Sequence, residues 1–458
     1  SSEGIFTAKS CYRGLKSSAD NKCATPILHH LRALDCQHLQ YLPTSGISTG
    51  SSGKHAYKET SARPHPTKAV PHTHATLTHL SPHQSSMAWV PTGTVLSSYF
   101  LVFLSCLSYA LFHGFRARKT VALHIWLLFL TLSLVSLGLT WYHIGRFMVT
   151  SFAESKQTLE AFLRDSDLFV ETYRMVCKTP AHWWWSNQLL LFTCSLITFM
   201  WHQGALFSSA DKPTSASGST NRAGTVVFVL LGFFGAISVA FPLYMLWIWS
   251  SSNEDKSQRK LSFQSTNKTK ETEGKSLPVY VWVSLLLALG SILMTPHISV
   301  DSPTFTLSLF FLHFILLLPI LLRGHSPVRL SSVFPLYVTI TTVTFLAHAY
   351  VTYATVADLL PLSPSALATI FPRRLASALF ENDCQISISV DYIMATVEVS
   401  ALYAVSLGSR QGHFGEKVAA WVLFTLACML TSLAVVFPLF IGRYLMTLHG
   451  RQTVNKSE

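Results

Sequence analysis

Long apolar blocks, each about 20 residues, alternate with shorter polar stretches from residue 94 onward. A block of that length spans a bilayer as an α-helix, and none shows the in–out alternation of a membrane barrel strand. The pattern predicts nine spans, at about 94–113, 120–142, 185–207, 224–250, 278–296, 303–323, 331–356, 386–407 and 418–442. The fifth and sixth are joined only by residues 295–302; if they form a hairpin that does not fully cross, the count is eight. The expected fold class is an all-α, polytopic membrane helix bundle with 8–9 transmembrane helices over residues 87–445, followed by a polar tail at 446–458. No internal repeat, direct or inverted, is legible.

Three stretches break the pattern. Residues 152–176 carry Phe152, Leu159, Phe162, Leu163, Phe169 and Val170 near helical spacing with charges on the other face. An amphipathic helix within 150–180, lying on the membrane surface or capping the bundle, is expected there. Residues 251–277 are rich in Ser, Lys and Glu and are expected to be disordered. Residues 1–86 hold nine of the 20 histidines, much Ser, Thr and Pro, and no Met before Met87. They bury too little apolar surface to offset ordering entropy and are expected to be disordered or not translated. His72, His74 and His79 read as a metal tract only under the less favoured alternative.

Composition narrows the class. Hydrophobic residues are 49% and charged residues 12% of the chain, with mean hydropathy +0.36. The net charge of +12 does not point to nucleic acid, because the cations are spread over loops, where topology and anionic headgroups select them. In the nine-span reading the 142–185 and 250–278 loops share one side, with Arg146, Lys156, Arg164, Arg174 and Lys178, then Lys256, Arg259, Lys260, Lys268, Lys270 and Lys275. Arg116, Arg118 and Lys119 lie opposite, so the N-terminus is expected in the cytoplasm. The sequon at Asn267 would then be unmodified, and Cys177 and Cys384 would lie on opposite sides and be unable to pair.

The candidate chemistry lies in ISISVDYIMATVEVSALYAVSL, residues 386–407. A carboxylate in hydrocarbon costs at least a few kcal/mol. Asp391 and Glu398 fall on one helical face, about 10 Å apart along the axis. The bland reading of Asp391 is an acid near a helix start, favoured by the dipole. That of Glu398 is a buried acid paired with a neighbouring histidine or tyrosine, and His313 and His348 are the expected partners. A carboxyl kept neutral by its surroundings serves a general acid or a proton-coupled carrier equally well. Other span histidines, His113, His124, His143 and His202, read as packed or interfacial. Trp141, Trp183, Trp184 and Trp185 read first as an aromatic belt and second as a wall of ring faces able to stabilise a cation. Asn187 and Gln188 lie just inside the span, where a belt does not account for them. The chain lacks phosphate-loop, zinc-protease, nucleophile-elbow, dinucleotide and aspartate-rich prenyl-diphosphate motifs, and no metal ligand set or cofactor is expected.

Trp183-Trp184-Trp185-Ser186 with Gln188, and the run Ser387 to Tyr392, resemble a family of fungal multi-pass membrane proteins. Some of its members are similar to membrane-bound terpene cyclases of meroterpenoid pathways. The resemblance loosely covers residues 95–440. It implies an endoplasmic-reticulum enzyme that protonates a terminal epoxide on a prenylated substrate and guides metal-free ring closure. Asp391 or Glu398 would be the acid, with Trp184, Trp185, Gln188, Tyr392, His313 and His348 lining the site. The competing readings are a proton-coupled small-molecule transporter using the same carboxylates, and a non-catalytic multi-pass protein. The expected partners are the lipid bilayer and such an apolar substrate, and nucleic acid is not among them.

Overall fold

A computed structural model describes residues 92–166, 168–210, 217–262, 276–299, 302–322, 330–408 and 413–443. Most of these are helical and none is in a strand, as an all-α membrane bundle requires. The helices are α1 Thr92–Arg116, α2 Leu123–Ser155, α3 Leu159–Asp165, α4 Leu168–Val176, α5 Pro180–Ala210, α6 Ser217–Phe234 and α7 Ile237–Ser262. There follow α8 Val279–Met294, α9 Pro303–Leu321, α10 Leu330–Val356, α11 Pro364–Leu379, α12 Asp383–Gly408, α13 Phe414–Thr431 and α14 Leu433–Arg443. Residues 1–86, the sequon at Asn267 and the tail at 446–458 lie outside the described residues.

Seven stretches are long and apolar enough to cross a membrane: Leu96–Lys119, Leu123–Ser155, Val279–His297, Pro303–Leu321, Ser332–Leu359, Asp383–Gly408 and Phe414–Thr431. A multi-pass membrane protein follows. Their outer faces remain greasy, with Leu101, Leu127, Phe314, Leu346 and Leu430 exposed. Side-chain ladders fix the directions. Thr355, Thr352 and His348 of α10 meet Pro180, Trp184 and Gln188 of α5, so these two helices are antiparallel. His143, Thr140 and Ser136 of α2 meet Asp383, Ser387 and Glu398 of α12, likewise antiparallel. α5 and α12 therefore run parallel through the centre and touch where the Trp185 and Tyr392 rings meet, 6.3 Å between centroids. The end carrying α3, α4 and α11 is called the cap end, the other the loop end.

Two expected spans are corrected. Neither 224–250 nor 418–442 is one continuous helix; each folds back as a helical hairpin rising from the loop end, and of the four helices only Phe414–Thr431 is by itself long and apolar enough to cross. In the first, Phe228 of α6 packs on Tyr244 of α7 at 5.5 Å, and Gly224 leaves no room for a Cβ beside the Trp247 ring. In the second, Phe424 of α13 packs on Phe440 of α14 at 5.6 Å. A continuous helix would hold either pair roughly 24 Å apart. No polar loop marks the turns, because partners elsewhere in the chain satisfy the freed backbone groups.

The correction moves the loops. The 142–185 segment and the end of α7 at Ser250 lie at opposite ends, since Ser250 bonds Thr120 beside Arg118 and Lys119. Cys177 and Cys384, expected on opposite sides, share one small apolar cluster with Phe147 and Val176 at the cap end. The expected single amphipathic helix is three pieces. α2 continues to Ser155, where Lys156 turns left-handed at φ 54°, and Ser166 separates α3 from α4. The first part of the 251–277 stretch, expected to be disordered, continues α7 to Ser262, and 263–275 lie outside the described residues.

The order of helices in the first half recurs in the second. One half runs α1 down, α2 up, α3 and α4 across the cap, α5 down, then the α6–α7 hairpin. The other runs α9 down, α10 up, α11 across the cap, α12 down, then the α13–α14 hairpin, with α8 as the connecting helix. Each half lends its second helix to the other half's third: α2 packs on α12, and α10 on α5.

Candidate functional site

The two hairpin tips converge on neighbouring residues of α12. At the first, α6 ends at Phe234 and the chain turns through Gly235 and Ala236, whose N–H groups both reach the Leu231 carbonyl. A side chain at Gly235 would strike that carbonyl and the Phe103 ring at 2.7 Å, so only glycine fits. Tyr99 donates to the Phe234 carbonyl and Trp141 Nε1 to that of Gly235 at 3.1 Å. The N–H groups opening α7 donate to Asp391, Ile237 to Oδ2 at 3.2 Å and Ser238 to Oδ1 at 2.8 Å. Asp391 is thus a helix cap supplied by another helix: a carboxyl whose two oxygens accept the N–H groups at the positive end of α7.

At the second tip Ser432 takes φ 111° and its Oγ accepts the Ala434 N–H at 3.2 Å. The Leu433 N–H donates to the Tyr392 hydroxyl at 3.1 Å, and Ser195 and Thr344 donate to the Ala434 carbonyl. Consecutive residues point about 100° apart on a helix, so Asp391 and Tyr392 can each close a different hairpin. Both tips lie roughly 12 Å along α12 from Asp383, inside the bundle. Irregular backbone survives at such depth only where protein or a lined cavity satisfies it.

Glu398 lies about 10 Å further along the Asp391 face. It is fully buried; Oε1 accepts from Ser136 at 2.9 Å, and Oε2 has no partner. Among the described residues it forms no ion pair. The expected histidine partners are elsewhere. His313 Nδ1 donates to the Leu309 carbonyl at 2.7 Å and its ring packs on Phe233. His348 bonds Gln188 at 2.7 Å and packs on Trp184.

The expected site is therefore split by α12. The carboxylates face α2 and α7. Trp184, Trp185, Gln188, His348 and Tyr392 form a cluster toward α10, α11 and the second hairpin. The indole N–H groups there tie helices together, Trp184 to Thr352 and Trp185 to the Leu375 carbonyl, each at 3.0 Å. Trp183 and Asn187 are buried, and neither the indole nitrogen nor either amide atom of Asn187 has a partner.

At the cap end, Asp383 pairs with His143 and Arg146, each at 2.9 Å. Glu381 takes a hydrogen bond from Lys178 and lies 3.0 Å from His182. The Lys178 bond holds the Glu381 carboxyl below its ordinary range, and Arg374 forks onto Asp358 with two bonds of 2.7 Å. Among the described residues no three His, Cys, Asp or Glu side chains converge on one point that could hold a metal ion.

Ser136, Thr140 and Tyr99 escaped the sequence reading. Ser133, Ser136 and Thr140 lie on one face of α2 at helical spacing, a signal of close helix packing rather than chemistry. Ser186, Gln188, Thr193 and Ser195 of α5 have the same spacing as Ser389, Asp391, Thr396 and Glu398 of α12. Thr193 and Thr396 each bond the carbonyl one turn back. Comparison with protein-family models, curated proteins and solved structures gives no match.

Proposed function

We propose that this chain is a proton-linked membrane carrier of a small molecule, with Glu398 as the proton-bearing group. The observation that carries the reading is the recurring helix-plus-hairpin unit built around a buried carboxyl that has no cationic partner among the described residues. Carriers are commonly assembled from repeats whose interrupted helices meet near the membrane interior. Ionisable residues at that depth are rare and mark ion pathways and proton relays. Asp391 is the positioning residue: by capping α7 it fixes the first hairpin against α12. The halves interlock, α2 on α12 and α10 on α5, with α5 and α12 in contact between them, so a change in the charge of Glu398 bears on the main contact between the halves. The loop end gathers Arg116, Arg118, Lys119, Lys256, Arg259 and Lys260. The positive-inside rule then favours a cytoplasmic loop end, the reverse of the orientation expected for nine spans.

The acid-initiated cyclase is the second reading, favoured by the packed aromatic cluster of Trp184, Trp185 and Tyr392. It would place an epoxy-prenyl substrate in an endoplasmic-reticulum enzyme with Glu398 as the acid. It requires acid and ring faces to share a chamber, whereas they lie on different sides of α12.

The two separate in one preparation. Full-length chain in proteoliposomes holding a trapped pH dye is challenged with small weak acids, amines and prenylated phenols across a pH gradient. Cargo-dependent proton movement that Glu398→Gln abolishes is expected. Wild type behaving like empty vesicles with every probe, while converting an epoxyfarnesyl phenol into an isomer of unchanged mass, replaces the carrier with the cyclase.

A further inference from the structure

The seam between α2 and α12 holds a graded line of polar groups from the cap end to Glu398. His143, Thr140 and Ser136 form one stripe on α2, with rises of roughly 4.5 and 6 Å between them. Asp383, Ser387, Asp391 and Glu398 form the facing stripe on α12. Three bonds zip the stripes together: His143 to Asp383 at 2.9 Å, Ser387 Oγ to the Thr140 carbonyl at 3.2 Å, and Ser136 Oγ to Glu398 at 2.9 Å. Exposure falls along the line. The His143 and Asp383 side chains are 17% and 11% exposed, Thr140 is 3%, and Ser136 and Glu398 are 0%. Packing alone leaves two oxygens here unexplained: Thr140 Oγ1 and Glu398 Oε2 are buried without a partner. A buried hydroxyl without a partner is unfavourable, and a bridging water or a passing proton relieves it.

We infer that this seam is the proton entry path of Glu398, running from His143 and Asp383 at the cap end through the hydroxyls of Thr140 and Ser136. The inference rests on reading Glu398 as a proton site. Hydroxyls one helical turn apart are too far for direct transfer, so single waters bridge them. Each hydroxyl passes its own proton forward and takes one from behind. One proton leaves the cap-end water, one joins the Glu398 carboxylate, and no other bond changes in sum.

Few charges compete along this route. α7 brings no charged side chain between Ile237 and Ser251. α2 itself brings Arg146, which pairs with Asp383 at 2.9 Å at the mouth of the route; α4 offers Glu171 and Arg174, α5 His182, and α11 Arg373 and Arg374, all toward the cap end, while α13 offers Glu416 and Lys417 at the loop end. Asp391, the other acid on the Glu398 face, is committed to the α7 amides.

The test reads the carboxyl itself. Infrared difference spectra of the full chain in nanodiscs are recorded after a pH jump, with the Glu398 band identified by its loss in Glu398→Gln. Thr140→Val keeps the shape and removes the hydroxyl; it should slow arrival of the proton at least about tenfold, a barrier increase of about 1.4 kcal/mol. Thr140→Ser should restore the rate. Ser136→Ala should slow it as well and supplies the comparison if Thr140→Val does not fold. Protonation at the wild-type rate in the folded variants, or no band that depends on Glu398, overturns the path. Slowed protonation without cargo movement removes the carrier and leaves the path; cargo movement with unslowed protonation removes the path alone.

Discussion

Replacing Asp391 should cost more stability than replacing Glu398, although Glu398 lies deeper. Asp391→Ala strands two buried N–H donors, those of Ile237 and Ser238. Each stranded donor costs about 1–3 kcal/mol, so the loss is roughly 2–6 kcal/mol. Asp391→Asn keeps one acceptor oxygen and should lose about half as much, roughly 1–3 kcal/mol. Glu398→Gln keeps an acceptor for Ser136 and strands no backbone group, so it should stay within about 1 kcal/mol of wild type. Unfolding of the purified chain by rising mole fraction of a denaturing detergent, followed by tryptophan fluorescence, gives the order. An Asp391→Ala midpoint equal to wild type, or a Glu398→Gln loss larger than that of Asp391→Ala, refutes the capping argument.

Tyr392→Phe strands the Leu433 N–H and should cost about 1–3 kcal/mol in the same assay, less than Asp391→Ala. Gly224→Ala should destabilise the first hairpin by about 1–3 kcal/mol, because its methyl would meet Trp247 at 2.7 Å and the Tyr109 hydroxyl at 3.1 Å. Single cysteines at Glu154 and Ser276 should react with an impermeant thiol reagent from opposite faces of sealed vesicles, in a chain whose native cysteines are blocked. Reaction from the same face would restore the nine-span topology. Glu381 has a lowered pKa, so its tie to Lys178 is complete above the usual carboxylate range and is lost as pH falls through the lowered value. Hydrogen exchange of residues 177–183 should therefore accelerate only in that acid window.

The helical blocks were legible because a bilayer permits little else, and the same permissiveness hid the turns. Gly235-Ala236 and Ser432 sit among apolar residues, since their stray backbone groups are met by Tyr99, Trp141, Asp391 and Tyr392 rather than by water. Nothing local marks a turn whose partners lie far away in sequence. Asp391 is instructive: the bland expectation of an acid near a helix start had the right chemistry and the wrong helix, because the N-terminus it serves belongs to α7. Trp141, expected as a belt residue, serves the same tip. The expected site grouped residues by sequence neighbourhood, which Asp391 and Tyr392 satisfy. Adjacency on a helix means about 100° of divergence, and that angle separated the acids from the aromatics.

The cap on α7 also sets an order of events during synthesis. Asp391 follows Ile237 by 154 residues. At a ribosomal rate of about 5–20 residues per second, the first hairpin waits roughly 8–30 seconds in the membrane before its acceptor is made. Through that interval the Ile237 and Ser238 amides face lipid, water or an insertion chaperone. The first half of the protein is therefore an unfinished object until the second half arrives, and a chain truncated before Asp391 is a natural target for membrane quality control.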